Sequence, residues 1–307
     1  MSLIAILGAL EVGLIFGLVA LGVHLSFRII NFADLTVDAS FPLGGAVAAT
    51  LIVLGWNPFA ATAIAFASGA LSGWITGWLN VRLKILQLLA GILVMISLYS
   101  VNLRIMGKPN VALISEPTVF SMLAIEGIPE YVLKPLILLV VALAAKLVLD
   151  FYFASEAGLA MRATGSNPRM ARSQGISTDR HTLIGLALSN GLVALAGALF
   201  AQSQGGADVS MGIGTIVIGL AAVIVGETLL PSRSLAVATL ACLLGASLYR
   251  FFIALALNID FIGLKAQDLN LVTAVLVGLA LLMPAYRQKI RKARLRRPQP
   301  SKESANA

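Results

Sequence analysis

The chain has 307 residues, of which 59% are hydrophobic and only 12% are charged, and its formal net charge is +8. Soluble globular domains are about 45–50% apolar and about 25% charged, so this composition excludes a soluble globular protein. It predicts an all-α polytopic membrane protein, because backbone groups inside a bilayer must form their hydrogen bonds within the helix.

Nine apolar segments are long enough, or nearly long enough, to cross a membrane. They are residues 4–27, 41–55, 57–79, 84–106, 131–153, 183–203, 213–230, 234–257 and 270–286. Segments 41–55 and 213–230 are short and occupy matching positions in the two halves of the chain, a pattern typical of transport pathways built from broken helices. We therefore predict roughly eight to ten transmembrane helices in two inverted repeats, some of them broken. Residues 1–10 contain no Lys or Arg, so the first segment is expected to be retained as a span.

The first break lies in the stretch ADLTVDASFPLGGAVAA, residues 33–49. It places Asp34 and Asp38 in an apolar environment, where acidic side chains usually face a cavity or a partner. An Asp that precedes an apolar run can accept hydrogen bonds from the N–H groups of a helix start. Capping is the leading interpretation of Asp34, and contact with a solute is the alternative. The pair Gly44 and Gly45 predicts a close approach between two helices.

The next segment contains the run GALSGWITGW, residues 69–78. Its small residues recur with helical spacing on one face, which is typical of a close helix–helix contact in a membrane. Trp74 and Trp78 follow near a predicted inner boundary. We interpret them as anchors at the membrane interface, since Trp is enriched there.

A long polar stretch, EAGLAMRATGSNPRMARSQGISTDRH, occupies residues 156–181. Asn167 is a good N-cap and Pro168 suits the first helical position, while Gly175 is a typical residue after a helix end. The sequence thus predicts a short helix with Arg169 and Arg172 exposed. Two interpretations stay open: an amphipathic loop that rests on lipid, and a docking element for a cytoplasmic partner.

The second break begins at Ala207-Asp208-Val209-Ser210, which repeats the small, acidic, aliphatic and hydroxyl order of residues 33–36. Gly212 and Gly214 follow it. Five predicted spans separate the two blocks, and because five is odd the blocks begin on opposite faces of the membrane. That arrangement predicts an inverted-topology repeat with the pathway between its halves. Asp208 is expected to cap a helix start.

Most of the 22 Lys and Arg residues fall on one side when the C-terminal tail is placed inside and the spans alternate. We therefore predict a transmembrane domain over residues 1–286, with an inner loop at 154–182, and a basic cytoplasmic tail at 287–307. The tail is interpreted as a topology determinant that contacts anionic lipid. Nucleic acid is not an expected partner.

The sequence lacks a G-x-x-x-x-G-K-[ST] phosphate loop, an H-E-x-x-H metal motif and a G-x-S-x-G elbow. With a single cysteine, Cys242, it also lacks the means for an internal disulfide or a thiolate cluster. We expect no cofactor, no metal and no catalytic residues on this chain. Glu11 and Glu227 have no evident basic partner in the sequence.

Three stretches together resemble the permease subunits of bacterial ABC importers of the branched-chain amino acid and ribose type. FGLVALGVHLSFRIINFADLTVDASFPLGGAVAA resembles the first half of these subunits, and EAGLAMRATGSNPRMARSQGI resembles their cytoplasmic coupling loop. SNGLVALAGALFAQSQGGADVSMGIGTIVIGLAAVIVGE extends the match through the second half. SFRIINFADLTVDASFPLG and GADVSMGIGTIVIGLA are similar to a branch described as aromatic amino acid permeases.

The resemblance implies a permease that moves a small solute inward, an amino acid or a related compound, with ATP hydrolysis on a partner chain. It implies a second permease subunit in a homodimer, two cytoplasmic ATPase subunits, an extracytoplasmic solute-binding protein, and a place in the bacterial inner membrane with the C-terminus in the cytoplasm. The coupling helix maps to residues 166–176. The alternative function is a stand-alone carrier driven by an ion gradient through Asp34, Asp38 or Asp208.

The implied site residues form two groups. Contacts to the ATPase are expected at Arg162, Asn167, Pro168, Arg169, Arg172 and Gly175. The pathway and its helix breaks are expected at Asp34, Asp38, Gly44, Gly45, Asp208, Gly212 and Gly214.

Overall fold

The computed structural model describes residues 3–124, 127, 129–231, 234–257 and 278, and within this part of the chain the protein is helical apart from one short strand pair. The elements in chain order are α1 (Leu3–Val23), α2 (Val37–Val53), α3 (Pro58–Leu83), α4 (Gln87–Met106), β1 (Asn110–Ala112), α5 (Val119–Met122), α6 (Glu130–Ala154), α7 (Glu156–Ser166), α8 (Pro168–Ser173), α9 (Thr178–Gln204), β2 (Gly206–Asp208), α10 (Thr215–Leu229) and α11 (Leu235–Leu257). A π-helical turn, His24–Ile29, extends α1.

Six of the described helices are long and apolar enough to cross a membrane. They are α1 with its π-helical turn, α3, α4, α6, α9 and α11, and two shorter apolar helices, α2 and α10, complete the set. The all-α polytopic class predicted from composition is confirmed. Each of the first eight predicted segments coincides with one of these helices. The segment at 270–286, Arg233 and the tail at 287–307 lie outside the described residues.

The helix boundaries follow local sequence signals. The Asn57 side chain accepts a hydrogen bond from the Phe59 N–H at 2.9 Å, and Pro58 occupies the first turn of α3, where its missing N–H costs nothing. Gly107 and Gly205 end α4 and α9 with φ of +66° and +77°, a conformation that glycine adopts without steric cost.

Helix α9 lies at the centre of the fold, where it packs on α1, α2 and α3. The small-residue face predicted on α3 is one of these contacts. A Cβ at Gly69 would lie 2.5 Å from the Asn190 carbonyl oxygen, and a Cβ at Gly73 would lie 2.1 Å from that of Leu186. Only glycine permits this backbone approach, which brings polar side chains of α3 within reach of α9.

Helix α1 forms the second packing centre, with α6, α10 and α11 around it. Trp74 and Trp78 point away from the core, with 44% and 39% of their surface exposed. The strand pair joins the connections that follow α4 and α9, with Asn110 opposite Asp208 in antiparallel register. This pairing fixes the start of the second break against the α4–α6 connection.

Candidate functional site

The first helix break spans residues 30–36, between the π-helical turn of α1 and the start of α2. Asn31 has a φ of +58°, a conformation that costs a non-glycine residue energy and that Asn tolerates better than most. The chain then reaches Asp34, whose side chain is completely buried. One carboxylate oxygen accepts a hydrogen bond from the Thr36 N–H at 2.9 Å, and the other accepts one from Asn190 Nδ2 at 2.6 Å.

A buried polar network extends from this carboxylate across three helices. Asn190 of α9 accepts a hydrogen bond from the Ser40 hydroxyl at 2.7 Å, and Ser40 is 2.8 Å from the Ser72 hydroxyl of α3. The Thr36 and Thr76 hydroxyl oxygens are 2.7 Å apart. A buried carboxylate is tolerated only when it is hydrogen-bonded, so the network explains how Asp34 is accommodated. It fixes the first break to α3 and α9.

Asp38 has a different role from Asp34, because its side chain links the two short helices, α2 and α10. Its carboxylate accepts a hydrogen bond from the Ile216 N–H at 2.7 Å, in the first turn of α10. The side chain therefore satisfies a free N–H group and complements the positive end of another helix. Gly214 precedes α10 with a φ of +82°, and a Cβ at Gly212 would lie 2.0 Å from the Asp38 carbonyl oxygen.

The second break repeats the local turn of the first in another environment. Asp208 accepts a hydrogen bond from the Ser210 N–H at 2.7 Å, the same i to i+2 bond that Asp34 makes with Thr36. The Ser210 hydroxyl also hydrogen-bonds the Asp208 carboxylate. The Asp208 side chain is partly exposed, whereas Asp34 is not.

The predicted close approach of α2 occurs at both glycines. A Cβ at Gly44 would lie 1.9 Å from the Ala194 carbonyl oxygen of α9, so the two backbones are in contact. A Cβ at Gly45 would lie 2.1 Å from the Met211 Cε in the second break. Helix α2 is thereby held between α9 on one side and residues 209–214 on the other.

The predicted helix in the long polar loop is α8. The Asn167 side chain caps it by accepting a hydrogen bond from the Met170 N–H at 3.1 Å, Pro168 is its first residue, and Gly175 follows its end with a φ of +80°. The preceding helix, α7, packs directly on the first break. A Cβ at Gly165 would lie 1.8 Å from the carbonyl oxygen of Ile29, the last residue of the π-helical turn, and 2.9 Å from the Cα of Ile30 in the break. The loop and the break are therefore in backbone contact.

The charged residues of this loop differ in their surroundings. Arg162 and Arg169 are exposed, as predicted for Arg169. Arg172 is exposed too, but its Nε donates to the Thr178 hydroxyl at 2.7 Å and its guanidinium pairs with Asp179 at 3.2 Å. Arg172 thus connects α8 to the start of α9, an intramolecular role that the sequence interpretation did not include.

A cavity of about 780 Å³ opens where the loop, the first break and the ends of α3 and α9 meet. Ile30, Asn80, Lys84, Thr164 and Arg172 are among its lining residues. In the part of the chain that the structure describes, no group of three or more His, Cys, Asp or Glu side chains could hold a metal ion.

Sequence reasoning missed Asn190 in the site, and it also missed the partners of two acidic residues elsewhere, Glu11 and Glu227. It did not identify Asn190. A polar residue inside the apolar run 183–203 is a recognisable signal, because polar side chains within a membrane span usually face a partner or a cavity. Sequence reasoning also found no partner for Glu227, which forms an ion pair with Arg28. The Glu11 carboxylate accepts a hydrogen bond from the Ser203 hydroxyl. These partners are far apart along the chain and share no local pattern.

Residues 5–283 match the protein family described as branched-chain amino acid transport system, permease component. The chain is 37% identical over 273 residues to a tyrosine transport system permease protein of Clostridioides difficile, covering 89% of this chain and 88% of that protein. It is 29% identical to the ribose import permease protein RbsC of Escherichia coli, covering 83% and 78% of the two chains. A probable branched-chain amino acid transport permease, LivH of Methanocaldococcus jannaschii, is 26% identical and matches 61% of this chain and 62% of its own. No solved structure is significantly similar to the chain.

Proposed function

Because the chain belongs to the family of branched-chain amino acid transport permease components, we propose that it forms the membrane pathway of an ATP-driven importer for an aromatic amino acid such as tyrosine. The family and the permease role predicted from the sequence are confirmed. The chain is a multi-pass membrane protein and a transport component rather than an enzyme, and its family works with ATPase and solute-binding partners.

The 37% identity to a tyrosine permease, over nearly the full length of both chains, is the observation that carries the substrate proposal. The ribose permease is less similar, and so is the branched-chain amino acid permease. In this proposal the binding protein selects the solute outside the membrane and the permease passes it inward.

The proposed ATPase contact is the surface formed by α7 and α8. Arg162 and Arg169 are its exposed cations, and Met170, with 63% of its surface exposed, supplies an apolar contact. Asn167, Pro168 and Gly175 set the length and direction of α8, while Arg172 ties it to α9. Since Gly165 abuts Ile29, movement of this surface would be transmitted to the first break.

We further propose two inverted repeats, in which α1, α2 and α3 correspond to α9, α10 and α11. Two observations support this. The blocks Asp34–Thr36 and Asp208–Ser210 form the same turn after a long helix and before a short one. The packing also agrees with this correspondence, because the first helix of each repeat packs on the second and third helices of the other. Helix α9 packs on α2 and α3, and α1 packs on α10 and α11.

The remaining architecture follows from the same proposal. Two copies of the chain pair in the bacterial inner membrane, with the coupling loop 154–182 and the basic tail 287–307 in the cytoplasm. The excess of Lys and Arg on that side supports this orientation. Solute then moves as α2 and α10, held together by Asp38, Gly212 and Gly214, open to one side and then to the other.

The test of the substrate is a reconstitution in which the solute is varied. The permease is purified with its ATPase and binding protein, and the ligand retained by the binding protein is identified by mass spectrometry. Uptake of labelled L-tyrosine, L-leucine and ribose into proteoliposomes is then compared. We expect L-tyrosine to be retained and taken up. Preferred uptake of ribose would refute the amino acid proposal.

A further inference from the structure

A second cavity, of about 450 Å³, lies between α2, α4 and residues 209–213 of the second break. Its volume is in the range of small-molecule sites. Its lining residues include Asp38, Pro42, Met95, Tyr99, Asn102 and Ile213. The cavity therefore touches both halves of the proposed repeat, at the point where Asp38 holds the start of α10.

Asn102 is an unsatisfied polar residue of this cavity. Its side chain is 1% exposed, and its Nδ2 donates to the Ala39 carbonyl oxygen at 3.3 Å, which fixes the orientation of the amide. Among the described residues, the Oδ1 atom has no hydrogen-bond partner. Buried acceptors are nearly always satisfied in proteins, and a hydrogen-bond donor on a molecule in the adjoining cavity would satisfy this one.

Asp38 supplies a second acceptor and a negative charge. Its carboxylate interacts with the backbone N–H groups of Ile216 and Gly214. A carboxylate offers about four acceptor positions on its two oxygens, so capacity remains after these contacts. The polar features of the cavity thus favour a donor with positive charge, which an amino acid provides in its α-ammonium group.

The other walls are mostly apolar or aromatic; their further hydroxyls belong to Ser100 and Ser210, and the Ser210 hydroxyl already donates a hydrogen bond to Asp208. Pro42, Met95 and Ile213 offer no strong hydrogen-bond partner, and Tyr99 presents a large aromatic side chain. A sugar has hydroxyl groups around its whole ring, and several of them would be left without partners against such walls. An aromatic side chain would instead pack on Met95 and Tyr99, since sulfur–aromatic and aromatic pairs are favourable.

We propose that this cavity is the transit site for the solute, with the α-ammonium group beside Asp38 and Asn102 and the aromatic side chain against Met95 and Tyr99. The inference rests on the proposed function and adds the place and the chemistry of recognition inside the permease. Because Asp38 also caps α10, the solute occupies the contact between the two short helices.

The test uses 4-azido-L-phenylalanine as a photoreactive probe of the complete importer in lipid nanodiscs. Illumination is expected to label peptides containing residues 95–102 and 209–213, and excess L-tyrosine is expected to prevent the labelling. Asp38→Asn keeps an acceptor for the Ile216 N–H but removes the charge, so labelling at a subsaturating concentration should fall about tenfold. Tyr99→Leu should also reduce it.

Tyr131→Leu on α6 is the matched control, because Tyr131 is an exposed aromatic residue that is not among those lining this cavity. The proposed transit site would be overturned if Asp38→Asn left the labelling unchanged. It would also be overturned if peptides of α6 were labelled as strongly as those containing residues 95–102 and 209–213. Labelling of the cavity by a photoreactive phospholipid that L-tyrosine does not displace would overturn it as well. ATP-driven L-tyrosine uptake by the same preparation separates the two proposals: uptake without cavity labelling overturns only the transit site, whereas absence of uptake overturns the proposed function.

Discussion

The two helix breaks contain four residues of the same types in the same order and form the same turn, yet they are held in different ways. At the first, Asp34 is fully buried and bound to Asn190 of α9. At the second, Asp208 is partly exposed and its segment is paired with a short strand. The comparison shows that the local sequence determines the turn, while the neighbouring helices determine whether it is a rigid anchor or a surface connection.

The two breaks also contact different parts of the molecule. The first break touches the long polar loop at Ile30, whose Cα would lie 2.9 Å from a Cβ at Gly165. The second touches α2 through Gly212 and Gly45, and it does so beside the proposed transit site. In the proposed mechanism, force from the ATPase would therefore reach the first break, and the solute would bind beside the second.

The largest expected effect comes from separating α2 from α9. In Gly44→Leu the new side chain would collide with the Ala194 backbone, since even a Cβ would lie 1.9 Å from its oxygen. We expect L-tyrosine uptake to be abolished. Gly8→Leu is the control, because nothing lies within 4 Å of a Cβ at Gly8. Normal uptake by Gly44→Leu would contradict the close contact that holds the first break.

The next effect tests where force enters. Arg169→Glu reverses an exposed charge on α8, and among the described residues the Arg169 side chain forms no hydrogen bond that the change would remove. We expect uptake to fall about tenfold, as for the loss of a charged interface contact, while the subunit stays folded. ATPase activity and uptake are measured on the same proteoliposomes. Arg82→Glu, an exposed cation at the end of α3, is the control, and an equal loss in that variant would argue against a specific docking surface.

A third experiment compares the two turns directly. Asp34→Ala leaves the buried Thr36 N–H without its acceptor and Asn190 without one of its bonds, so it should lower the free energy of unfolding by about 3 kcal/mol. Asp208→Ala removes the same local bond at a partly exposed site and should cost about 1 kcal/mol or less. Thermal unfolding of the purified variants in detergent gives the order. Equal losses would show that burial does not distinguish the two breaks.

The smallest expected effect concerns the start of α10. Gly214 has a φ of +82° with nothing within 4 Å of a Cβ, so Gly214→Ala suffers only backbone strain, of about 1 kcal/mol. We expect a small drop in the unfolding temperature and nearly normal uptake. An effect on uptake as large as that of Gly44→Leu would mean that the second break carries the force instead.

Much of the fold could be predicted because the relevant signals are local. Length and apolarity located the described helices, and Asn167, Pro168 and Gly175 predicted α8, since capping and positive φ depend on neighbouring residues. The contacts within the site could not be predicted in this way. The Asp38–Ile216 bond and the Asp34–Asn190 bond join residues 178 and 156 positions apart, and they depend on how each helix is rotated against the next. Arg172 was predicted to be exposed, but its pairing with Asp179 depends on the turn between α8 and α9.

We propose that this chain forms a membrane pathway whose opening and closing are driven by ATP hydrolysis on a partner chain. The most direct measurement is L-tyrosine uptake into sealed proteoliposomes that contain the permease with or without its ATPase and binding protein, with either ATP or an imposed ion gradient as the energy source. We predict uptake only when both partners and ATP are present, and none when the ATPase is inactivated. Uptake by the permease alone, driven by the gradient without nucleotide, would show that the chain is a secondary carrier and not the pathway of an ATP-driven importer.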